Sequence, residues 1–289
     1  MKAAVIGLGS MGTNHFKVLH TIPTVKKVFG VDPLARQAEF SDVEELLRNV
    51  KIDFAIIATP TAEHSKIALE LVKKNIPILI EKPVFKNTAE GEVILKAAKK
   101  NNCKIAVGHI ERFNPACQSL VRNLKDEKII NCSVTRVSPY PKRIGDVGVK
   151  LDLAIHDVDL IKFITKEDII TSFSSSSATN GAREDTASFF LNIGHKTTAN
   201  ILVSWLSPFR KRTIEVLTDK SFYEVDLLSK EVTKFVHEEG SSYNTHYVPV
   251  EDTNALEQQL KQFIKYVTID DPGDLALLQD GLDALKIVE

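Results

Sequence analysis

Residues 3–12 read AAVIGLGSMG, an apolar run that leads directly into a glycine-rich turn. Apolar residues at helical spacing follow, so the stretch predicts a buried strand, a tight turn and a helix. The first glycine permits the turn, the second lets a pyrophosphate approach the backbone, and the third lets helix and strand pack closely. The start of the helix would offer backbone amides to phosphate. The residues expected to contact a dinucleotide here are Gly7, Gly9, Ser10, Met11 and Gly12.

A second apolar strand, residues 27–31, leads into Asp32 at the spacing of about 20 residues that places a carboxylate on the ribose hydroxyls. A carboxylate at that position would repel a 2′-phosphate, which favours NAD over NADP. Arg36 lies close to Asp32 in the chain, so NADP remains an alternative cofactor. A simpler interpretation is that Asp32-Pro33 only ends the strand in a turn.

The composition is that of a globular protein: 289 residues, 43% hydrophobic and 26% charged, enough for one large or two medium domains. A net charge of -1 gives no general electrostatic reason to expect nucleic acid or an anionic membrane as a partner. The three cysteines lack metal-ligand spacing, so we expect no metal site and buried free thiols. We see no signal peptide and no membrane-spanning run, and we expect a cytoplasmic protein.

From residue 1 to about 109, apolar strands alternate with helices, which indicates a doubly wound parallel sheet that binds ligands beyond the carboxyl ends of its strands. Between residues 169 and 236, strands with turn signals indicate a largely antiparallel sheet. We therefore expect an α/β protein with a dinucleotide-binding domain at 1–120 and a substrate-binding and oligomerisation domain at 121–289. Helices are expected over 151–164 and from about residue 275. The residues expected at the first sheet's carboxyl edge are Thr59, Glu81, Lys82, Gly108 and His109.

Two groups of residues are candidates for proton transfer. Asp152, His156 and Asp159 have the spacing of one helix face. A carboxylate beside His156 would fix its tautomer and raise its proton affinity, which suits a general acid–base. A surface polar face or a capped core histidine would give the same pattern. Lys82 ends a buried strand before a proline and is the other candidate, although a solvated strand-end lysine fits equally well.

Several motifs occur in order along nearly the whole chain: residues 7–12 with His15, Ala58-Thr59-Pro60-Thr61 with His64, Glu81-Lys82-Pro83, and DLAIHDVD at 152–159. This set resembles the glucose–fructose oxidoreductase and inositol dehydrogenase family, the Gfo/Idh/MocA group. The resemblance implies a Rossmann domain, a C-terminal α/β domain with an open-faced sheet, and NAD(P)-dependent oxidation or reduction of sugars and polyols. It also implies a cis bond before Pro83. Carried over by position, the catalytic residues are Lys82, Asp152 and His156, and further cofactor contacts are Thr59, Pro60, His64 and Glu81.

Other segments are similar to the UDP-N-acetylglucosamine 3-dehydrogenase branch of that family: GHIERFNPA at 108–116, YPKRIGDVGV at 140–149 and SWLSP at 204–208 with the basic residues 210–212. Arginine side chains suit a diphosphate, because each guanidinium group can donate two parallel hydrogen bonds to phosphate oxygens. The residues that this similarity offers for substrate binding are Arg112, Asn114, Arg143, Asp152 and His156, with Arg210 and Arg212 as further candidates. Ordinary surface arginines and a helix-capping Asn114 are the alternatives.

The function expected from the sequence is hydride transfer between C3 of a UDP-N-acetyl sugar and nicotinamide. A dehydrogenase or reductase of a free sugar or inositol is the first alternative. A non-catalytic NAD(H)-binding sensor is the second, although a sensor has no need of the proton-transfer residues. An exposed apolar sheet face also leads us to expect a homodimer or homotetramer.

Overall fold

The computed structural model describes residues 1–141, 147–181, 183–238 and 242–289, and Lys150–Ala154 form a π-helical turn. The strands are β1 (Lys2–Ile6), β2 (Lys27–Val31), β3 (Phe54–Ile57), β4 (Ile78–Ile80), β5 (Ile105–Val107), β6 (Ile129–Val137), β7 (Ile169–Ser177), β8 (Thr186–Ile193), β9 (Thr197–Ser204), β10 (Lys211–Thr218), β11 (Ser221–Asp226), β12 (Glu231–His237), β13 (Tyr243–Tyr247) and β14 (Ala276–Leu277). The helices are α1 (Ser10–Thr21), α2 (Val43–Asn49), α3 (Thr61–Lys73), α4 (Thr88–Asn101), α5 (Pro115–Asn123), α6 (Ile155–Thr165), α7 (Ala255–Ile269) and α8 (Leu278–Val288).

The chain forms two compact units, residues 1–110 with 255–286 and residues 111–254 with 287–289. The first unit contains a sheet in the order β14-β5-β4-β3-β1-β2, in which β1 to β5 run parallel and β14 is antiparallel. Its strands are almost wholly apolar and buried, as expected for a parallel sheet with helices on both faces. The predicted fold class is confirmed for this unit.

The register of the parallel strands aligns their carboxyl ends in one row. Ile6 pairs with both Val31 and Ile57, Ile57 pairs with Ile80, and Ile80 pairs with Val107. The residues that follow these strand ends therefore lie along the same edge of the sheet, where open α/β sheets bind their ligands. These residues are Gly7, Asp32, Ala58, Glu81 and Gly108.

The C-terminal segment returns to the first unit, which differs from the division after residue 120 expected from the sequence. On α7, Phe263 packs edge-on against Phe54 of β3 with ring centroids 5.6 Å apart. Ala276 pairs with Val107, so the chain is extended there and α8 begins at Leu278 rather than near residue 275.

The second unit contains a sheet in the order β13-β12-β11-β10-β6-β9-β8-β7. The β6–β9 pair is parallel and the remaining pairs are antiparallel, which confirms the predicted largely antiparallel sheet. Helix α5 packs on β11 and β12, and α6 packs on β6 and β9. Phe173, Phe190 and Leu202 on β7, β8 and β9 are exposed.

The helix expected over 151–164 has an irregular start. The amide of Ile155 donates to the carbonyl of Lys150, five residues earlier, so the first turn is π-helical and the regular helix covers Ile155–Thr165. Single π turns of this kind occur frequently at functional sites.

The three thiols are free and buried. Burial raises the pKa of Cys103 to about 11 and that of Cys132 to about 12, so both remain protonated near neutral pH. Among the described residues, no helix is both long and apolar enough to traverse a bilayer. Within the same ranges, no cluster of three or more His, Cys, Asp and Glu side chains could hold a metal ion.

Candidate active site

The glycine-rich turn has the geometry that its sequence predicts. Gly7 has φ +87°, and a Cβ there would lie 2.7 Å from the Thr59 amide nitrogen. A Cβ on Gly12 would lie 1.8 Å from the Gly7 carbonyl oxygen, so helix α1 packs directly on the turn. At Gly9, by contrast, no described atom lies within 4 Å of the Cβ position. Gly9 is also the N-cap of α1 and has no side chain to cap the first amides, which leaves a cradle suited to a phosphate.

Asp32 is fixed at the end of β2 by backbone amides. Its Oδ2 accepts from Leu8 N at 2.8 Å, and its Oδ1 accepts from Leu34 N and Ala35 N at 2.8 and 3.0 Å. Partial burial raises the pKa of Asp32, but these three donors together outweigh it and hold the pKa below its usual value. The carboxylate is therefore ionised and immobile at the rim of the sheet.

A cavity of about 900 Å³ opens at this edge of the first unit. It brings together five of the predicted cofactor contacts. These are Gly7, Gly9, Asp32, Thr59 and Pro60. Its other charged residues are acidic except for one lysine. These are Asp42, Glu44, Glu63, Glu70 and Lys66. Ser10 and Met11 are exposed at the start of α1.

Lys82 follows β4 and is half-buried, and its peptide bond to Pro83 is cis, as the resemblance implied. Glu81, predicted to contact the cofactor, is buried, and its Oε1 accepts from Nε2 of His15 at 2.7 Å. His64, another predicted cofactor contact, is also buried and lies between backbone carbonyl oxygens. The structure thus gives Glu81 and His64 protein partners in the first unit.

Asp152 and His156 lie in the second unit, on the π-helical turn and the first turn of α6, and both are half-buried. Asp159, expected on the same face, is buried and pairs instead with Arg112, whose Nε and Nη2 lie 2.9 and 2.6 Å from its carboxylate oxygens. The predicted three-residue stripe is therefore divided between a half-buried pair and a buried ion pair.

The residues predicted for substrate binding have different surroundings. Arg112 is buried in its pair with Asp159 and lies over the Phe163 ring. Asn114 caps α5, because its Oδ1 accepts from Ala116 N, and its Nδ2 donates to Leu227 O. Arg143 lies outside the described residues. The substrate role of these three residues stays a prediction.

Sequence reasoning missed a buried charge network beside His156. Arg136, near the end of β6, donates to Asp157 and to Glu111, with Nη1 2.9 Å from Glu111 Oε1. Burial raises the pKa of Glu111, but Arg136 outweighs it and keeps that pKa low. The sequence contained a signal for the burial of Arg136. Alternate residues of β6 face inward, and Arg136 follows Cys132 and Val134 on that buried face.

Residues 1–109 match the model of an oxidoreductase family with an NAD-binding Rossmann fold, and residues 128–224 match the GFO/IDH/MocA C-terminal domain. The chain belongs to the Gfo/Idh/MocA family. The cavity lined by the glycine turn and Asp32 lies in the part that matches the family's NAD-binding domain. The chain is accordingly an NAD-binding oxidoreductase, and the open cradle at Gly9 fits the cofactor's pyrophosphate.

Two relatives, and a solved structure of the first of them, show how close the similarity is. The UDP-N-acetylglucosamine 3-dehydrogenase of Acidithiobacillus ferrooxidans is 28% identical over 79% of this chain and 75% of its own length. An inositol 2-dehydrogenase of Pseudarthrobacter chlorophenolicus is 31% identical over 58% of this chain and 55% of its own length. A crystal structure of the Acidithiobacillus 3-dehydrogenase superposes with a TM-score of 0.91 at 24% identity, covering 100% of this chain and 95% of that one, which shows the shared fold.

Proposed function

We propose that the protein is an NAD-dependent sugar dehydrogenase that acts on C3 of a UDP-linked N-acetyl sugar. The observation that carries the oxidoreductase part is the cavity at the carboxyl edge of the first sheet, with its open glycine cradle and its fixed Asp32. The choice of substrate rests on the similarity to the Acidithiobacillus enzyme and on the Arg112, Arg143 and Arg210 segments.

The preference for NAD over NADP follows from the charges around the cavity. Asp32 would accept from the ribose hydroxyls, and Asp42 and Glu44 add further negative charge near the same wall. Among the described residues that line the cavity, only Lys66 would offset these carboxylates toward a 2′-phosphate. Arg36 is exposed and is not part of the cavity wall.

Three residues would carry the proton chemistry. Bound NAD supplies the acceptor for the substrate's C3 hydride. His156 would remove the hydroxyl proton as general base, and Asp152 would orient the imidazole and stabilise its charged form. Lys82 would stabilise the negative charge that develops on the substrate oxygen. The same groups serve both directions, so the reverse reduction uses His156 as general acid.

A free sugar or inositol is the second candidate substrate, and the 31% identity to an inositol 2-dehydrogenase favours it. Of the two candidate substrates, only the UDP-sugar carries a diphosphate. A UDP-sugar would need cationic contacts, for which Arg143 and the exposed Arg210 are candidates, whereas Arg112 already has Asp159 as its partner.

The direct test is NADH formation with a panel of UDP-N-acetylglucosamine, UDP-N-acetylgalactosamine, free N-acetylglucosamine and myo-inositol. We expect turnover with a UDP-N-acetyl sugar and a 3-keto product identified by mass spectrometry after borodeuteride reduction. Turnover restricted to free polyols would replace the substrate assignment with the second candidate. Binding of NADH without turnover of any sugar or polyol would favour a sensor.

We also propose that the protein assembles as a homodimer or homotetramer through the exposed face of the second sheet. Phe173 and Phe190 face each other across β7 and β8, and both are more than 60% exposed. A partner copy would remove this apolar surface from water. Light scattering should give a multiple of 32.1 kDa, and Phe190→Glu should shift it towards the monomer.

A further inference from the structure

Two buried histidines hold the chain segment on either side of Lys82. His15, on α1, places Nε2 2.7 Å from Oε1 of Glu81, the residue before Lys82. His64, on α3, places Nδ1 3.1 Å from the carbonyl oxygens of both Pro83 and Val84, which follow Lys82. The Glu81–Val84 segment is thus fixed from two different helices.

Both imidazoles are excluded from solvent. His15 is 0% exposed and His64 is 1% exposed, so neither can contribute through contact with bulk water. Polar side chains buried this deeply destabilise a protein unless hydrogen bonds compensate them. The Glu81 carboxylate fits a space kept open by Gly108, where a Cβ would lie 2.8 Å from Glu81 Oε1. The contact between His15 and Glu81 is therefore a tight fit.

His64 also reaches the cofactor cavity on its other side. His64 Nε2 lies 2.9 Å from the carbonyl oxygen of Thr59, which lines the cavity. His15 belongs to α1, whose first residues follow the glycine turn. His64 therefore lies between the wall that would hold NAD and the segment that carries Lys82, and His15 links that segment to the helix that begins at the glycine turn.

We propose that His15 and His64 are positioning residues that fix Lys82 relative to the bound cofactor. Only the role of Lys82 toward substrate rests on the proposed function, since the contacts belong to the protein itself. Because burial lowers the pKa of His64 below that of an ordinary histidine, its ring is neutral near pH 7 and carries one N–H. That N–H donates either to Pro83 and Val84 or to Thr59, and the proposal requires the first, so variants that keep a donor on one side only test it.

Replacing a histidine with asparagine or glutamine keeps a hydrogen-bond donor at the place of only one of its two ring nitrogens. An asparagine amide occupies the place of Nδ1 and a glutamine amide that of Nε2. His64→Asn keeps the donor toward Pro83 and Val84, whereas His64→Gln keeps the donor toward Thr59. For His15, which uses Nε2, glutamine is the conservative replacement and asparagine is too short. His20→Gln, on the exposed side of α1, is the matched control.

Three measurements are made on each full-length variant: the Kd for NAD by calorimetry, the rate of Lys82 acetylation by peptide mass spectrometry, and kcat and KM. We expect His64→Gln to change the Lys82 labelling rate and to lower kcat about 10- to 100-fold, the effect of a misplaced catalytic group, with little change in the Kd for NAD. His64→Asn, which keeps the donor toward Pro83 and Val84, should keep the Lys82 labelling rate and most of kcat. His15→Asn should lower kcat, and His15→Gln should restore most of it.

The proposal is overturned if His64→Gln and His64→Asn behave alike, or if all variants keep the wild-type Lys82 labelling rate and kcat. If a His15 variant fails to fold, Gly108→Ala tests the same contact, because its methyl group displaces the Glu81 carboxylate while both histidines remain. If a His64 variant fails to fold, the other His64 variant decides through its Lys82 labelling rate. If the wild type turns over no sugar, the proposed function fails, while NAD affinity and Lys82 labelling still decide the role of the histidines.

Discussion

Arg136 and Asp157 form an ion pair that is shielded from solvent on all sides, with Arg136 Nη2 2.7 Å and Nε 2.8 Å from Asp157 Oδ1. Arg136 lies near the end of β6, an inner strand of the second sheet, and Asp157 is the next residue after His156. The pair fixes the first turn of α6 against β6, and with it the backbone that carries the proposed general base.

Arg136→Met should destabilise the second unit strongly, because it leaves Asp157 buried without Arg136 and leaves Glu111 paired with the partly exposed Arg212. Because Asp157 loses its buried partner, we expect a loss of about 3–5 kcal/mol in the free energy of unfolding by urea denaturation. Arg122→Met is the control, since Arg122 forms an exposed pair with Glu251 at 3.5 Å, and its loss should amount to about 1 kcal/mol or less. Equal effects of the two substitutions would contradict a structural role for the buried pair.

Two glycine substitutions in the turn should have different effects, one on stability and the other on cofactor binding. Gly12→Ala places a methyl group against the Gly7 carbonyl and should lower stability by at least about 1–3 kcal/mol. Gly9→Ala meets no described atom within 4 Å and should leave the thermal midpoint close to that of the wild type. The Gly9 methyl would nevertheless occupy the phosphate cradle, so calorimetry should show weaker NAD binding. Unchanged NAD affinity of Gly9→Ala would place the pyrophosphate elsewhere.

Asp32 should determine the choice between NAD and NADP. Replacing it with serine removes the acceptor for the ribose hydroxyls and the charge that opposes a 2′-phosphate. The ratio of the two dissociation constants should shift toward NADP by about 10- to 100-fold, the range for a hydrogen bond to a charged group. Glu39→Ser, an exposed carboxylate paired with Lys27, should leave the ratio unchanged. A ratio that does not respond to Asp32→Ser would refute this assignment.

His64 should make the protein less stable in mild acid. Its pKa is lowered from the ordinary 6.5 because burial outweighs the carbonyl oxygens around the ring. The unfolded chain therefore binds this proton more readily, and stability falls as the pH drops below about 6.5 through the lower pKa of the folded state. Between pH 7.5 and pH 5.5 the thermal midpoint should fall more for the wild type than for His64→Asn. Identical falls in the two proteins would mean that His64 is not the titrating group.

Much of the first unit could be predicted from the sequence because its signals are local. A few neighbouring residues are enough to predict the glycine turn, Asp32 and the apolar strands. The strand register then follows from the parallel pattern. The C-terminal segment could not be placed in this way. Its pairing of Ala276 with Val107 joins residues far apart in the chain, and nothing near residue 276 indicates a partner.

The candidate site residues could be named from the sequence, but the contacts that support them could not. His15, His64 and Glu81 stood out as motif residues, yet their hydrogen bonds depend on how α1 and α3 approach the end of β4. Asp159 was expected beside His156, but its pairing with Arg112 depends on a long-range approach that helical spacing does not contain. The π-helical turn at residues 150–154 likewise reflects tertiary packing rather than local propensity.

The proton-transfer role of His156 is the centre of this account, and one measurement tests it most directly. The rate of NADH formation from UDP-N-acetylglucosamine is compared between the wild type and His156→Gln, with the Kd for NAD measured on the same preparations. We predict turnover by the wild type, a loss of kcat of at least about 100-fold in the variant, as expected for a general base, and an unchanged Kd. Turnover by His156→Gln at the wild-type rate would contradict the proposed mechanism.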